Sequence, residues 1–160
     1  MPARNHKKWL AQPKVEYISS ECYNNFQIYE QEIEHIFAKV WIPMCHISEM
    51  SHDGDFRSTQ IAFKNVVAVN RDGVVQAYAS QNIDKLTGNG IDTSGMRQLH
   101  CEVKHGGMVW VTLDPNPTMD VEQWTCGAFD CITDAIDSED LEVFHYHKAV
   151  IDTNYKLWHD

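Results

Sequence analysis

The sequence predicts a mainly β fold of the α+β kind, a small antiparallel barrel or sandwich with a helical N-terminal arm. Three observations carry that expectation. An apolar stripe of helical period occupies residues 29–40, and the pattern turns strand-like after Pro43. Two turn signals, Asp72–Gly73 and His105–Gly106–Gly107, then each stand between β-branched runs. At 160 residues the chain suits one domain, or one domain with the edge of another, and is long enough to bury a core.

Residues 1–15 read as a mobile lead-in, with Pro2 and Pro13 discouraging helix. A helical arm follows over 16–50. Ser20 is the expected cap of a first short turn, and Tyr29, Ile33, Ile36, Phe37 and Val40 then share one face, opposite Glu30, Gln31, Glu34 and His35. The β-domain is placed at 51–140. In it Asp53–Gly54 is a turn, Phe56–Phe63 one strand, and Val66–Val69 with Val74–Tyr78 a tight hairpin. Residues 80–98, polar and holding Gly88, Gly90 and Gly95, read as a flexible loop, long enough to ask what it replaces. Leu99–Val103 and Met108–Leu113 form the second hairpin, stopped by Asp114-Pro-Asn-Pro117. Asp120 caps a short helix carrying Val121, Trp124, Phe129 and Ile132, weakened by Gly127. Residues 141–160 contain a last strand, Leu141–Asp152, rich in aromatic and β-branched residues, and then Asn154-Tyr-Lys-Leu-Trp-His-Asp160.

Charge excludes several functions. Thirteen Lys and Arg against 23 Asp and Glu give a formal charge of −10, which opposes binding to nucleic acid or to an anionic membrane surface. No apolar run approaches the ~20 residues of a membrane span and Met1–Lys8 lead into no apolar core of a signal peptide, so the expectation is a soluble, cytoplasmic protein. Five cysteines at 22, 45, 101, 126 and 131 lack the spacing of a secreted disulfide framework and read as reduced thiols. No phosphate-binding glycine loop and no nucleophile elbow is present, and Trp41, Trp110, Trp124 and Trp158 read as core and interface anchors.

The order of the weaker signals says more than any one of them. An amphipathic helix runs into Val40–Trp41, then His46, then Gly54–Asp55–Phe56, then the hairpin "NVVAVNRDGVVQAY", then "EVKHGGMVWVTLDP", then "NYKLWHD". Over residues 16–79 and 99–160 this succession resembles the N-terminal part of the large (α) subunit of aromatic-ring-hydroxylating oxygenases, the Rieske non-haem iron family. The resemblance implies a Rieske-like β-scaffold, with 141–160 as the start of a catalytic domain. In that family the hairpin ending here at Tyr78–Ala79 is followed by a Cys-x-His pair and later by a Cys-x-x-His pair, which hold a [2Fe–2S] cluster. This chain has neither pair and passes from "AYAS" straight to "QNIDKLTGNGID", as though one cluster-binding segment had been removed. The family's Fe(II) ligands, two histidines and a carboxylate, follow the asparagine–lysine segment and have no counterpart before Asp160.

Substitute metal ligands are few. Cys101 and His105, on adjacent strands or a turn, are one pair, set against a surface His100 and a core Cys101. His145 and His147, two apart on one strand face, are another, set against a strand-surface histidine pair. Cys45–His46 reads as structural. Two functions are therefore expected in competition. One is a portion of an oxygenase α subunit that acts on an aromatic, possibly acidic, substrate. It would be inactive as this chain alone, with no cofactor of its own, and would be partnered in the complete enzyme by a trimer of subunits and a reductase or ferredoxin. The other is a metal-free Rieske-like docking module. Tyr155, Leu157 and Trp158 are expected to expose apolar surface and promote self-association.

Overall fold

The computed structural model describes residues 19–80, 86–87, 90–130, 133–134 and 142–158. The lead-in at 1–15 and Ile132 lie outside these residues, as do the side chains of Leu157 and Trp158.

The body is a six-stranded antiparallel sheet in the order β1-β8-β7-β4-β3-β2. Its strands are β1 (Ile42–His46), β2 (Phe56–Ile61), β3 (Lys64–Arg71), β4 (Val74–Ser80), β7 (Arg97–Lys104) and β8 (Met108–Thr112). A separate two-stranded ladder joins β5 (Leu86–Thr87) to β6 (Gly90–Ile91). Pro43 falls on an edge strand, where a missing N–H costs no ladder bond, and the register shifts between Pro43 and Cys45. The 3-10 turn Ile47–Met50 carries the chain from β1 toward β2, and Glu49 there pairs with Arg57 of β2 at 3.1 Å. The two edges of the sheet are thereby drawn together into a nearly closed barrel.

Hairpin chemistry fixes the register. Asp72 and Gly73 both take positive φ, 51° and 83°, which is the geometry a two-residue turn needs to match strand twist. The β2–β3 turn uses the same geometry with Ala62 (φ 46°) and Phe63 (φ 60°), residues that do not favour it. The expected strand over Phe56–Phe63 accordingly ends at Ile61.

β3 is buried on both faces, and this explains the unbroken run Val66–Asn70 where simple alternation would leave one face polar. Val66 and Ala68 enter the main core with Met50, Ala77, Leu99, Val109 and Val111. Val67 and Val69 face the other way, under Ile91, Phe56, Tyr78 and Met96. The connection from β4 to β7 is therefore not a bare loop. It returns Ile91 and Met96 over β3, and Arg71 donates to the Ile91 carbonyl at 3.1 Å. Buried Asn70 is satisfied by donating to the Met50 carbonyl and accepting from the Gly73 N–H.

The helices are shorter than the apolar period suggests. α1 (Glu21–Asn24) and α2 (Phe26–Glu32) are separate, and α2 widens into a π-helical turn at Ile33–Phe37. Ser20 makes no cap bond; Asn25 caps α2 instead, accepting from the Gln27 N–H. No residue of these three helical turns is buried, because only one face meets the sheet and that contact is partial. α3 (Val121–Thr125) has the expected Asp120 cap, reciprocated by Gln123, and ends at Cys126 and Gly127, both at positive φ. Trp41 and Trp110 are buried with Val121, whereas Trp124 is 43% exposed and lies outside that cluster. The strand expected at Leu141–Asp152 does not form: residues 142–150 have no regular structure and their side chains are exposed.

Candidate functional site

The tight β7–β8 hairpin places His105 at positive φ (53°) and buries its ring. The imidazole stacks on Phe129 at 5.1 Å and meets Trp110 edge-on at 5.8 Å. Its two nitrogens lie 3.3 and 3.4 Å from the hydroxyls of Thr125 and Thr133. Both nitrogens thus have protein partners, so the ring is a satisfied core histidine linking the hairpin to α3. Trp110 Nε1, beside it, is buried without a partner among the described residues.

Cys101 points to the other side of the same hairpin. It packs against the main core, while His105 belongs to the aromatic layer of Trp110, so the structure does not bring this pair together. His100 is exposed and 3.1 Å from the Pro115 carbonyl, on the face opposite Cys101 as strand alternation requires. His145 and His147 stand exposed on an irregular segment, with no strand to hold them on one face. Among the described residues no three His, Cys, Asp or Glu side chains are grouped to hold a metal ion.

His46 has a structural role of its own. Its Nε2–H donates to the Gly106 carbonyl at 2.6 Å, which leaves Nδ1 to accept from the Ser48 N–H, while Glu49 accepts from the His46 N–H. One imidazole therefore ties the β1 turn to the β7–β8 turn. Cys45 next to it and Cys101 both lie in the main core, and burial pushes both thiols up to about 12.

The densest polar contact outside the sheet was not foreseen in the sequence. The tail residues 154–156 return to the helical arm, more than a hundred residues earlier. Asn154 donates to the Tyr23 carbonyl at 2.5 Å, and Lys156 reaches both the Cys22 carbonyl and, at 2.5 Å, the Glu32 carboxylate. Tyr155 donates its hydroxyl to Glu32 and sets its ring edge-on to Phe37 at 5.2 Å. The Lys156 hydrogen bond holds the Glu32 carboxyl below its usual range, against the opposing effect of burial. Burial and the Glu32 hydrogen bond push the Tyr155 phenol up to about 12. Asn154 and Lys156 stand out in the sequence, but nothing local marks Glu32 as their partner.

No family model matches the chain. Over its whole length it is 36% identical to the methanesulfonate monooxygenase hydroxylase subunit alpha of Methylosulfonomonas methylovora, of which it covers 51%. Over 90% of its length it is 24% identical to the 2-aminobenzenesulfonate 2,3-dioxygenase subunit alpha of an Alcaligenes species, covering 47% of that protein. Its homologues are Rieske oxygenase alpha subunits. The chain spans about half the length of these curated relatives. Among solved structures, a quaternary ammonium Rieske monooxygenase in its apo form superposes with a TM-score of 0.60 at 22% identity, over 74% of this chain and 46% of that one. A naphthalene 1,2-dioxygenase bound to phenanthrene gives 0.54 at 14% identity, over 64% and 32%. Both share the Rieske oxygenase fold. The match to the methanesulfonate monooxygenase subunit runs over 213 aligned positions against 160 residues here, and the difference leaves ~53 positions at which this chain has no residue.

A Rieske cluster takes two thiolates on one iron and two imidazoles on the other. The described side chains of this Rieske homologue do not fit it. Cys45 and Cys101 are protonated core thiols, the His46 and His105 rings are committed to hydrogen bonds within the protein, and Cys22 and Cys126 lie on the arm and beyond α3. Nor do these side chains group two imidazoles with a carboxylate for Fe(II).

Proposed function

We propose that this chain is a portion of a Rieske oxygenase alpha subunit whose complete form inserts oxygen into an organic-acid substrate, and that the chain alone does not turn over. The observation that carries this reading is the match along the whole chain to an alpha subunit twice its length, on a shared fold. The sequence reading is an aromatic substrate, possibly an aromatic acid, and the relatives' names widen the class to sulfonates and carboxylates, since they include methanesulfonate, 2-aminobenzenesulfonate and anthranilate. In the complete protein a [2Fe–2S] cluster and Fe(II) supply electron transfer and oxygen activation, fed by a reductase or ferredoxin. The role of the present residues is to build the scaffold: residues 16–50 as the arm, 51–140 as the β-domain and 141–160 as the lead into the catalytic domain. Its partners are further oxygenase subunits in a trimer-based assembly in the cytoplasm. Among the described residues no helix is long and apolar enough to cross a membrane.

A second reading, a metal-free docking module, draws support from the closure of the sheet. β4 pairs directly with β7 through Ala77–Leu99, Tyr78–Gln98 and Ala79–Arg97, so the ladder is continuous across the place where the cluster segment is expected. Intact mass, visible absorption and oxygen uptake separate the two. A mass well above 18.4 kDa with Rieske absorption, and oxygen uptake driven by a ferredoxin and one of the three acids, supports the oxygenase reading. A colourless 18.4 kDa protein that takes up no oxygen supports the docking module. Turnover by the 160-residue chain without added subunits would refute both.

A further inference from the structure

A groove of about 540 Å³ opens between the helical arm and the sheet, floored by Ile33, Ala38 and Leu113. Phe26 and Phe63 line it while remaining 65% and 67% exposed. Three departures from favourable local structure meet at this one place. Ala62 and Phe63 both line the groove from a left-handed backbone conformation, φ 46° and 60°, which a bulky residue rarely adopts. On the arm, the helix widens to a π-helical turn at Ile33–Phe37, and Ile33 and Glu34 of that turn also line the groove. Glu30 and Glu34 stand one turn apart, a like-charge spacing that weakens a helix. Local costs of this kind concentrate where a site needs them.

The charges of the groove are of both signs and divide by element. The arm supplies two carboxylates, Glu30 and Glu34, and the sheet supplies two cations, Lys64 at the start of β3 and Arg97 at the start of β7. No salt bridge joins the two sets, and Glu30, Glu34 and Lys64 ion-pair with nothing else among the described residues. Arg97 donates from both terminal nitrogens to the Leu113 carbonyl at 3.3 Å, which steadies the guanidinium and leaves its other N–H groups for an acid. We propose that this groove is a binding site for a small zwitterion, a molecule with an ammonium and a carboxylate or sulfonate at opposite ends of an apolar body. An organic anion alone would bring its charge beside Glu30 and Glu34, and an organic cation alone would meet Lys64 and Arg97. An uncharged apolar molecule would take water from all four charges and replace none of it. A zwitterion sets each end against its opposite and lays its body on the apolar floor. Exposed ion pairs are individually weak and screened, so the affinity is about 1 mM and falls with salt. The inference concerns no iron ligand and does not rest on the oxygenase reading.

The test is NMR titration of the isotope-labelled 160-residue chain with para-(aminomethyl)benzoate, with benzoate and benzylamine as single-charge controls. Saturable amide shifts are expected at Ile33, Glu34, Phe63 and Leu113, with the zwitterion bound about fivefold more tightly than either control. Glu34→Gln is expected to weaken the zwitterion and benzylamine about threefold and to leave benzoate no weaker. Lys64→Gln does the converse, weakening the zwitterion and benzoate and sparing benzylamine. Arg97→Gln acts like Lys64→Gln with a larger loss; should it lower the melting temperature, Lys64→Gln decides. Phe63→Gly relieves the strained turn, so the melting temperature holds or rises while affinity for the zwitterion falls about threefold. No saturation by about 10 mM, a control that binds as tightly as the zwitterion, variants that affect all three compounds alike, or shifts confined to other parts of the chain overturn the proposal. A groove covered by a second copy, seen as shifts at these amides that follow protein concentration and not ligand, also overturns it. The titration involves neither iron nor oxygen uptake, so failure of this site and failure of the oxygenase reading are distinguishable.

Discussion

Gly107 sits where a side chain has no room. A Cβ built there would lie 2.6 Å from His46 Nε2, and its φ of +99° is unfavourable for any other residue. Gly107→Ala is expected to destabilise the fold by about 1–3 kcal/mol, read by urea denaturation, because it strains the backbone and pushes the imidazole off the Gly106 carbonyl. The core thiols make a second residue-scale prediction. Cys45, buried, and Cys101, partly buried against the core, are raised to about 12 and stay protonated at pH 8, so alkylation with mass-spectrometric mapping should label exposed Cys126 and leave these two until the protein unfolds. The same shift sets a pH limit. In the unfolded chain these thiols ionise near their ordinary value of 9.0, whereas in the fold they stay neutral until about 12. Their contribution to stability is thus complete below pH 9 and is lost as pH rises from there to 12, which melting temperatures across that range will show.

At the scale of elements, the clasp between arm and tail and the strained β2–β3 turn have the clearest consequences. Lys156→Met removes the cation that holds Glu32 and the Cys22 carbonyl. Hydrogen exchange is then expected to speed up at residues 153–156 while β3 and β4 are unchanged. Acid weakens the clasp in the same direction. The folded-state pKa of Glu32 is depressed, so its contribution is present above the unfolded carboxylate value and is lost as pH falls through the depressed one. For the turn, Ala62→Asn/Phe63→Gly supplies residues that accept positive φ. It is expected to stabilise the fold by about 1 kcal/mol in thermal unfolding.

For the whole molecule, the prediction concerns metal. The described sheet packs its core without a metal ligand set, so a chelator such as EDTA is expected to leave the melting temperature unchanged. A marked drop would place a metal-binding group among residues outside those described. The closed β4–β7 ladder and the two-sided burial of β3 give the physical basis: the sheet makes its core mainly from aliphatic side chains, Val, Ala, Leu, Ile and Met, with Cys45.

Much of this architecture is set by local sequence. Asp72–Gly73 and His105–Gly106–Gly107 dictate hairpins because backbone sterics admit few residues there, and Asp120 with Gln123 starts α3 wherever that helix packs. The kinship with Rieske oxygenase alpha subunits was legible too, in the order of those signals, as was the missing Cys-x-His and Cys-x-x-His pattern. Contacts across long separations were not. That His105 is committed to Thr125 and Thr133, and that Glu32 meets Lys156, depends on which surfaces the sheet brings together. The strap at 142–151 shows the limit most plainly. Its composition specifies a strand, but a strand exists only when another backbone is present to bond it, and no intrinsic preference supplies that partner.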